Sequence, residues 1–108
     1  MEIQLAVAKI NKFSSPESGD TMEVIERPGG GISIVLADGH LDNQSSKMVS
    51  SKVVHTAISL LMEGIRDGAV ARAASDNLYT SYSGKAFANL NILSVDLQTN
   101  TIVLVQNN

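Results

Sequence analysis

Hydrophobic and polar residues alternate along the first third of the chain with a period of two, which is typical of β-strands. The pattern covers three segments, Glu2–Ile10, Thr21–Arg27 and the nearly continuous apolar run Ile32–Ala37. Turn-forming residues separate them at Ser14–Gly19 and at Pro28–Gly31. The pattern therefore predicts one strand followed by a β-hairpin.

After Ser45 the period lengthens to three or four residues, which indicates an amphipathic helix with a wide apolar face. We expect the pair Ser45-Ser46 to cap its start and Gly64 to follow its end. The apolar positions that carry this period are Val49, Val53, Ala57, Leu60 and Leu61.

A second helix is predicted from Asp67, whose side chain could cap it. Val70, Ala74 and Leu78 lie on one stripe of this helix, and Ser81–Gly84 ends it.

The end of the chain returns to strand patterning. Leu90–Leu97 and Thr101–Val105 are rich in β-branched residues and are separated by the turn residues 98–100, which predicts a second hairpin. Strands and helices come in blocks, so the predicted class is α+β with an antiparallel sheet, in a single domain over residues 1–108.

Composition excludes several classes of partner and site but does not identify a function. The net charge is −3 without charged runs, which argues against a nucleic-acid partner. No apolar stretch approaches membrane-spanning length, so we expect no membrane partner. The absence of cysteine excludes thiolate metal sites and makes the cytoplasm the expected compartment.

The segment Val35–Gly39 holds the most informative residues, because Asp38 and Gly39 follow an apolar strand. A carboxylate at a strand end and a carbonyl oxygen beside it are donors that Mg²⁺ or Mn²⁺ accepts. Asp20 starts the preceding strand, so a simple hairpin would bring Asp20 beside Asp38. The alternative is that Asp38-Gly39 is an ordinary turn dipeptide.

Two further side chains have less certain roles. His40 could assist phosphate or metal binding, although a single loop histidine is more often solvated. Arg27 could hold a phosphate, although a surface pair with Glu23 or Glu26 is the interpretation that we favour.

Five segments together resemble the N-terminal half of a bacterial metal-dependent protein phosphatase domain (PPM, or type 2C), of the kind found in stage II sporulation protein E. They are Glu17–Thr21, Val35–Gly39, Lys47–Ser50, Glu63–Val70 and Leu90–Leu97. Their order and spacing carry the resemblance, which covers essentially the whole chain.

The resemblance implies an antiparallel β-sandwich flanked by antiparallel helices, of which this chain would supply about half. It implies that Asp20, Asp38 and the Gly39 carbonyl are metal ligands in a two-metal centre for Mn²⁺ or Mg²⁺. The implied reaction is hydrolysis of phosphoserine or phosphothreonine in a phosphoprotein by a metal-activated water. No separate catalytic side chain is predicted.

The family's later aspartates belong to its C-terminal half, so the expected site is incomplete and enzymatic activity of this chain stays open. A half-sandwich would leave apolar surface bare, which predicts a homo-oligomer or completion by a second chain.

Two alternatives remain. The chain could be a non-catalytic module of the same lineage that serves oligomerisation or partner binding, because Leu41 and Asp42 stand where sporulation-type members usually have small residues. It could also be an unrelated small α+β domain in which Asp38-Gly39 is only a turn.

Overall fold

The computed structural model describes residues 19–107, which form five strands and two helices. The predicted strand Glu2–Ile10 and nearly all of the predicted turn Ser14–Gly19 lie outside these residues. In chain order the elements are β1 (Asp20–Glu26), β2 (Ile32–Leu41), β3 (Gln44–Ser45), α1 (Lys47–Met62), α2 (Asp67–Ser81), β4 (Ala86–Asp96) and β5 (Thr101–Asn107).

The strands form one antiparallel sheet in the order β1-β2-β4-β5, and the short β3 pairs with the end of β2. Both predicted hairpins are present, β1–β2 and β4–β5. The central pair, β2 with β4, runs from Ile32 opposite Val95 to Leu41 opposite Ala86. The predicted class, α+β with an antiparallel sheet, is confirmed.

Both helices pack on the same face of the sheet, which we call the helix face. The core there is aliphatic, because the strands contribute small and branched side chains and the helices contribute their apolar stripes. Its fully or almost fully buried members include Val35, Ala37, Leu90 and Ile92 from the sheet and Val53, Leu61, Val70 and Leu78 from the helices.

The opposite face of the sheet, which we call the outer face, is apolar in its middle. Val24, Ile34, Leu93 and Leu104 lie side by side across the four strands. Ile34 and Leu93 are buried, but Val24 and Leu104 at the two edges are 56% and 55% exposed. A second sheet, as expected for a sandwich, is not among residues 19–107, so the sandwich stays a prediction.

The predicted ends of the first helix are confirmed. The Ser46 hydroxyl accepts a hydrogen bond from the Val49 N–H at 3.2 Å, and Gly64 follows the helix with a φ of +85°. For α2 the predicted cap is wrong: Arg66 occupies the capping position without a side-chain hydrogen bond, and Asp67 is the first helical residue.

β2 is longer than predicted, and this changes the position of Asp38. The strand continues to Leu41, so Asp38 lies inside it and not at its end. The chain turns at Asp42 and Asn43, whose φ angles of 51° and 65° are typical of a two-residue hairpin turn. The alternative that Asp38-Gly39 is a turn is therefore wrong.

No helix in the described part of the chain is long and apolar enough to cross a membrane.

Candidate functional site

The β1–β2 hairpin places Asp20 directly opposite Asp38, as predicted. Opposite residues of antiparallel strands point to the same face with their Cβ atoms about 5 Å apart. Both carboxyl groups therefore belong to the outer face, at one end of the sheet. Asp20 is only 7% exposed, whereas the Asp38 side chain is 41% exposed.

The pKa of the Asp38 carboxyl is raised above its ordinary value. Burial is the largest cause, and the hydrogen bond and negative charge of Asp20 raise the pKa further. His40 acts in the opposite direction through its charge and its hydrogen bond. Two carboxyl groups in one place favour holding a proton, or another cation, between them.

His40 and Phe87 lie opposite each other on β2 and β4, next to the Asp20–Asp38 pair on the outer face. The His40 Nε2 lies 3.3 Å from a carboxylate oxygen of Asp38. Its ring stacks on Phe87 with centroids 4.6 Å apart and planes 14° from parallel. His40 is thus oriented by an aromatic ring and by Asp38, and is not the freely solvated side chain that is usual for a loop histidine.

Sequence reasoning missed Asn89, which pairs with Asp38 from the β4 side. Asn89 completes a row of three oxygen-bearing side chains with Asp20 and Asp38. The signal that could have found it is the alternation in β4, where Ala88 and Leu90 are buried and Asn89 points to the other face. Its strand partner was not evident, because β2 and β4 are far apart in sequence.

The first residues of α1 and its cap pack closely against Gly39. Its carbonyl accepts a hydrogen bond from the Ser46 N–H at 2.8 Å. A Cβ at Gly39 would lie 2.4 Å from the Ser50 nitrogen and 2.6 Å from the Ser46 oxygen, so only glycine lets the helix lie this close. One lone pair of the Gly39 carbonyl remains for another donor or a cation.

Side chains from α1 hold the start of β1 in place. The Thr21 and Ser50 hydroxyls are hydrogen-bonded at 2.6 Å, and both residues are buried. The Lys47 ammonium donates to the backbone carbonyl of Asp20. The helix therefore fixes the position of Asp20 relative to β2.

These residues suit a hard divalent cation in kind but are few in number. Asp20 and Asp38 offer adjacent carboxylate oxygens, whose mutual repulsion a cation would relieve. Within residues 19–107, no three or more His, Asp or Glu side chains are grouped so as to hold a metal. A cation held here would keep most of its ligands as water, which Mg²⁺ does readily.

A second polar cluster lies on the helix face and corrects the expectation for Arg27. Arg27 does not pair with Glu23 or Glu26; its Nη1 lies 2.9 Å from the Asp67 carboxylate. The same nitrogen donates to the Ser33 and Ser94 hydroxyls, and Ser94 also donates to Asp67. This cluster ties the start of α2 to β2, to β4 and to the residue that directly follows β1.

Comparisons with known proteins add no relative: no family model matches the chain, and no curated protein matches it.

Proposed function

We propose that this chain is part of a Mn²⁺- or Mg²⁺-dependent serine/threonine phosphatase domain of the PPM type. In this proposal Asp20, Asp38 and the Gly39 carbonyl hold the cation. The observation that carries it is the cross-strand pair of Asp20 and Asp38. The pKa of Asp38 is raised by burial and by the neighbouring Asp20. Such a pair destabilises a sheet, and perturbed groups of this kind cluster at functional sites.

The cation would supply Lewis-acid activation of water and charge neutralisation for phosphoester hydrolysis. The role of Asp20 and Asp38 is to bind it and orient it on a rigid strand pair. His40, held by Phe87 and Asp38 beside the two carboxyl groups, would donate a hydrogen bond to a phosphate oxygen. The substrate would be a phosphoprotein, and the proposed compartment is the cytoplasm because the chain has no cysteine.

The outer face supports the sandwich that this proposal requires. Its apolar row ends in exposed side chains at Val24 and Leu104, and Ile102 and Ile32 beside them are 42% and 41% exposed. A second sheet packed about 10 Å above would bury this row and would close one side of the Asp20–Asp38 pair.

A second candidate is a non-catalytic module of the same lineage that oligomerises or binds a partner. Two observations favour it: the same exposed apolar row, and the absence of a third acidic or histidine ligand within residues 19–107. This candidate requires no cation at Asp38, and the two proposals can therefore be separated by metal binding.

The deciding experiment is a calorimetric titration of the chain with MnCl₂. We expect saturable binding that Asp38→Asn weakens at least about tenfold, or roughly 1.4 kcal/mol. Asp76→Asn is the matched control, because it removes the same charge from an exposed site on α2. A phosphopeptide hydrolysis assay with Mn²⁺ then follows on the same three proteins.

The outcomes separate the two candidates. Equal Mn²⁺ binding by the chain and by Asp38→Asn would contradict the metal site. Absence of binding, together with concentration-dependent association that Asp38→Asn leaves intact, would favour the non-catalytic module.

A further inference from the structure

Within the part of the chain that the structure describes, β5 is an edge strand without the usual protection of an edge. Among residues 19–107, its only strand neighbour is β4. It carries no charged residue and no proline, and the side chains of Ile102, Val103 and Leu104 are 42%, 42% and 55% exposed. The other edge, β1, carries Glu23 and Glu26. Natural proteins usually block free edges with charges, so an unblocked edge is available for strand addition.

A groove runs along β5 on the helix face, between this strand and the first half of α2. Its volume is about 610 Å³. Val103 and Val105 contribute an apolar floor, and Arg66 and Arg72 stand on its wall. The groove and the free edge are therefore one continuous surface, which we call the β5 groove.

The β5 groove is positively charged although the chain as a whole is negative, at −3. Arg27 also lines it but is neutralised by Asp67. Arg66 and Arg72 are exposed, and neither forms an ion pair or a side-chain hydrogen bond with any residue in the part of the chain that the structure describes. Two arginines without an ion pair among residues 19–107 therefore line the groove.

We infer that the β5 groove binds an extended acidic peptide segment, which adds a strand to β5 and pairs its carboxylates with Arg66 and Arg72. Main-chain hydrogen bonds to the free edge would supply affinity, and alternate side chains would supply specificity. Arginine binds carboxylates in a bidentate manner, which favours Glu or Asp at the positions that face it.

The geometry defines the peptide pattern. Arg66 directly precedes α2 and Arg72 lies six residues further on, which is about 9 Å at the helical rise of 1.5 Å per residue. Alternate residues of a strand are separated by about 7 Å, a difference that long arginine side chains can span. Acidic residues two apart would therefore meet the two arginines, and the residues between them would lie beside Ile102 and Leu104 on the outer face. The expected pattern is acidic, apolar, acidic, apolar.

A second copy of the chain fits this pattern less well than a separate acidic segment. Its β5 has no acidic residue, and its β1 presents only Glu23 on the helix face, because Thr21 and Ile25 are the other residues there. The β5 groove and the Asp20–Asp38 pair are on opposite faces of the sheet, so this inference does not depend on the proposed phosphatase function.

The test measures fluorescence anisotropy of the labelled peptide TEVEVET with the full chain. We expect saturable binding, weakened at least about tenfold by Arg66→Gln/Arg72→Gln and by raising the salt concentration from 50 to 500 mM, since exposed charges are screened. Lys52→Gln/Lys85→Gln is the matched control, because it removes two exposed positive charges elsewhere. The peptide TKVKVKT and a TEVEVET with N-methylated backbone should bind at least about tenfold more weakly.

Three results would overturn the inference. Equal binding by the arginine double variant would remove the two arginines from the interaction, and equal binding of the N-methylated peptide would exclude strand addition. Concentration-dependent dimers of the chain in analytical ultracentrifugation, without any peptide binding, would make a second copy the occupant of the β5 groove.

Discussion

The two polar clusters of this sheet differ in charge balance. On the helix face, Arg27 and Asp67 neutralise each other, and the hydroxyls of Ser33 and Ser94 bridge them. On the outer face, Asp20 and Asp38 carry the same charge, and the pKa of Asp38 is raised as a result of burial and of Asp20. The first cluster pairs opposite charges, whereas the second places two carboxyl groups together, with His40 3.3 Å from Asp38.

This difference is what the proposed function would require: a balanced cluster that holds the fold and a like-charged cluster that binds a ligand. A partly buried, balanced ion pair with added hydrogen bonds fixes how α2 lies on the sheet, and its removal leaves an unpaired charge. A like-charged pair on opposed strands costs the sheet stability, and under the proposed function a bound cation would remove that cost. Three substitutions test this contrast, in order of decreasing effect.

The largest effect is expected from Arg27→Met, which breaks the balanced cluster. It leaves the Asp67 carboxylate, 12% exposed, without its cation, and we expect a loss of about 3 kcal/mol in the free energy of unfolding. Urea denaturation followed by circular dichroism measures this loss. Arg72→Met is the control, because Arg72 is exposed and pairs with no residue in 19–107. Equal stabilities of the two variants would show that the Arg27–Asp67 pair does not hold the fold together.

The sequence predicted local features of the fold well and distant pairings poorly. Patterns with a period of two, or of three to four, predicted each long element among residues 19–107, although β4 begins at Ala86 and not at Leu90. The hairpin rule correctly brought Asp20 beside Asp38. The Arg27–Asp67 pair was missed because 40 residues separate its members. No periodic pattern specifies such a contact.

The position of Asp38 was mistaken for a related reason. Gly39 and His40 interrupt the apolar run, so the strand was expected to end before them. Pairing with β4 extends β2 to Leu41, and this ladder is a long-range contact. Asn89 was missed for the same cause, since only the β2–β4 register makes it a neighbour of Asp38.

A smaller effect is expected from Gly39→Ala, which tests how the like-charged cluster is held. The added methyl group would meet backbone atoms of Ser46 and Ser50 at less than 3 Å, so α1 must move away from β2. We expect destabilisation of about 2 kcal/mol, as for other overpacked sites. Thermal unfolding of the variant measures it.

Gly68→Ala is the matched control for this substitution. A Cβ at Gly68 meets no atom within 4 Å, and alanine suits the first turn of α2, so this variant should be equally or more stable than the parent chain. If Gly39→Ala were as stable as Gly68→Ala, the close contact between α1 and β2 would not be what requires glycine beside Asp38.

The smallest effect, and the one of opposite sign, is expected from Asp38→Asn. Like charges on opposed strands destabilise by a few tenths to about 1 kcal/mol, so removing one should stabilise the chain by about 0.5 kcal/mol at pH 7.

The pKa of Asp38 is higher in the folded chain than in the unfolded one, so the folded state holds its proton more tightly. The stability of the parent chain should therefore fall as pH rises from the unfolded-state pKa of about 3.9 through the raised folded-state value. The advantage of Asp38→Asn should accordingly be present at neutral pH and vanish in acid. Asp76→Asn is the matched control, because it removes a carboxylate from the exposed surface of α2. Urea titrations across pH 3 to 8 measure both variants. A stability loss in Asp38→Asn at neutral pH would mean that Asp38 stabilises the hairpin, and the contrast between the two clusters would no longer distinguish architecture from function.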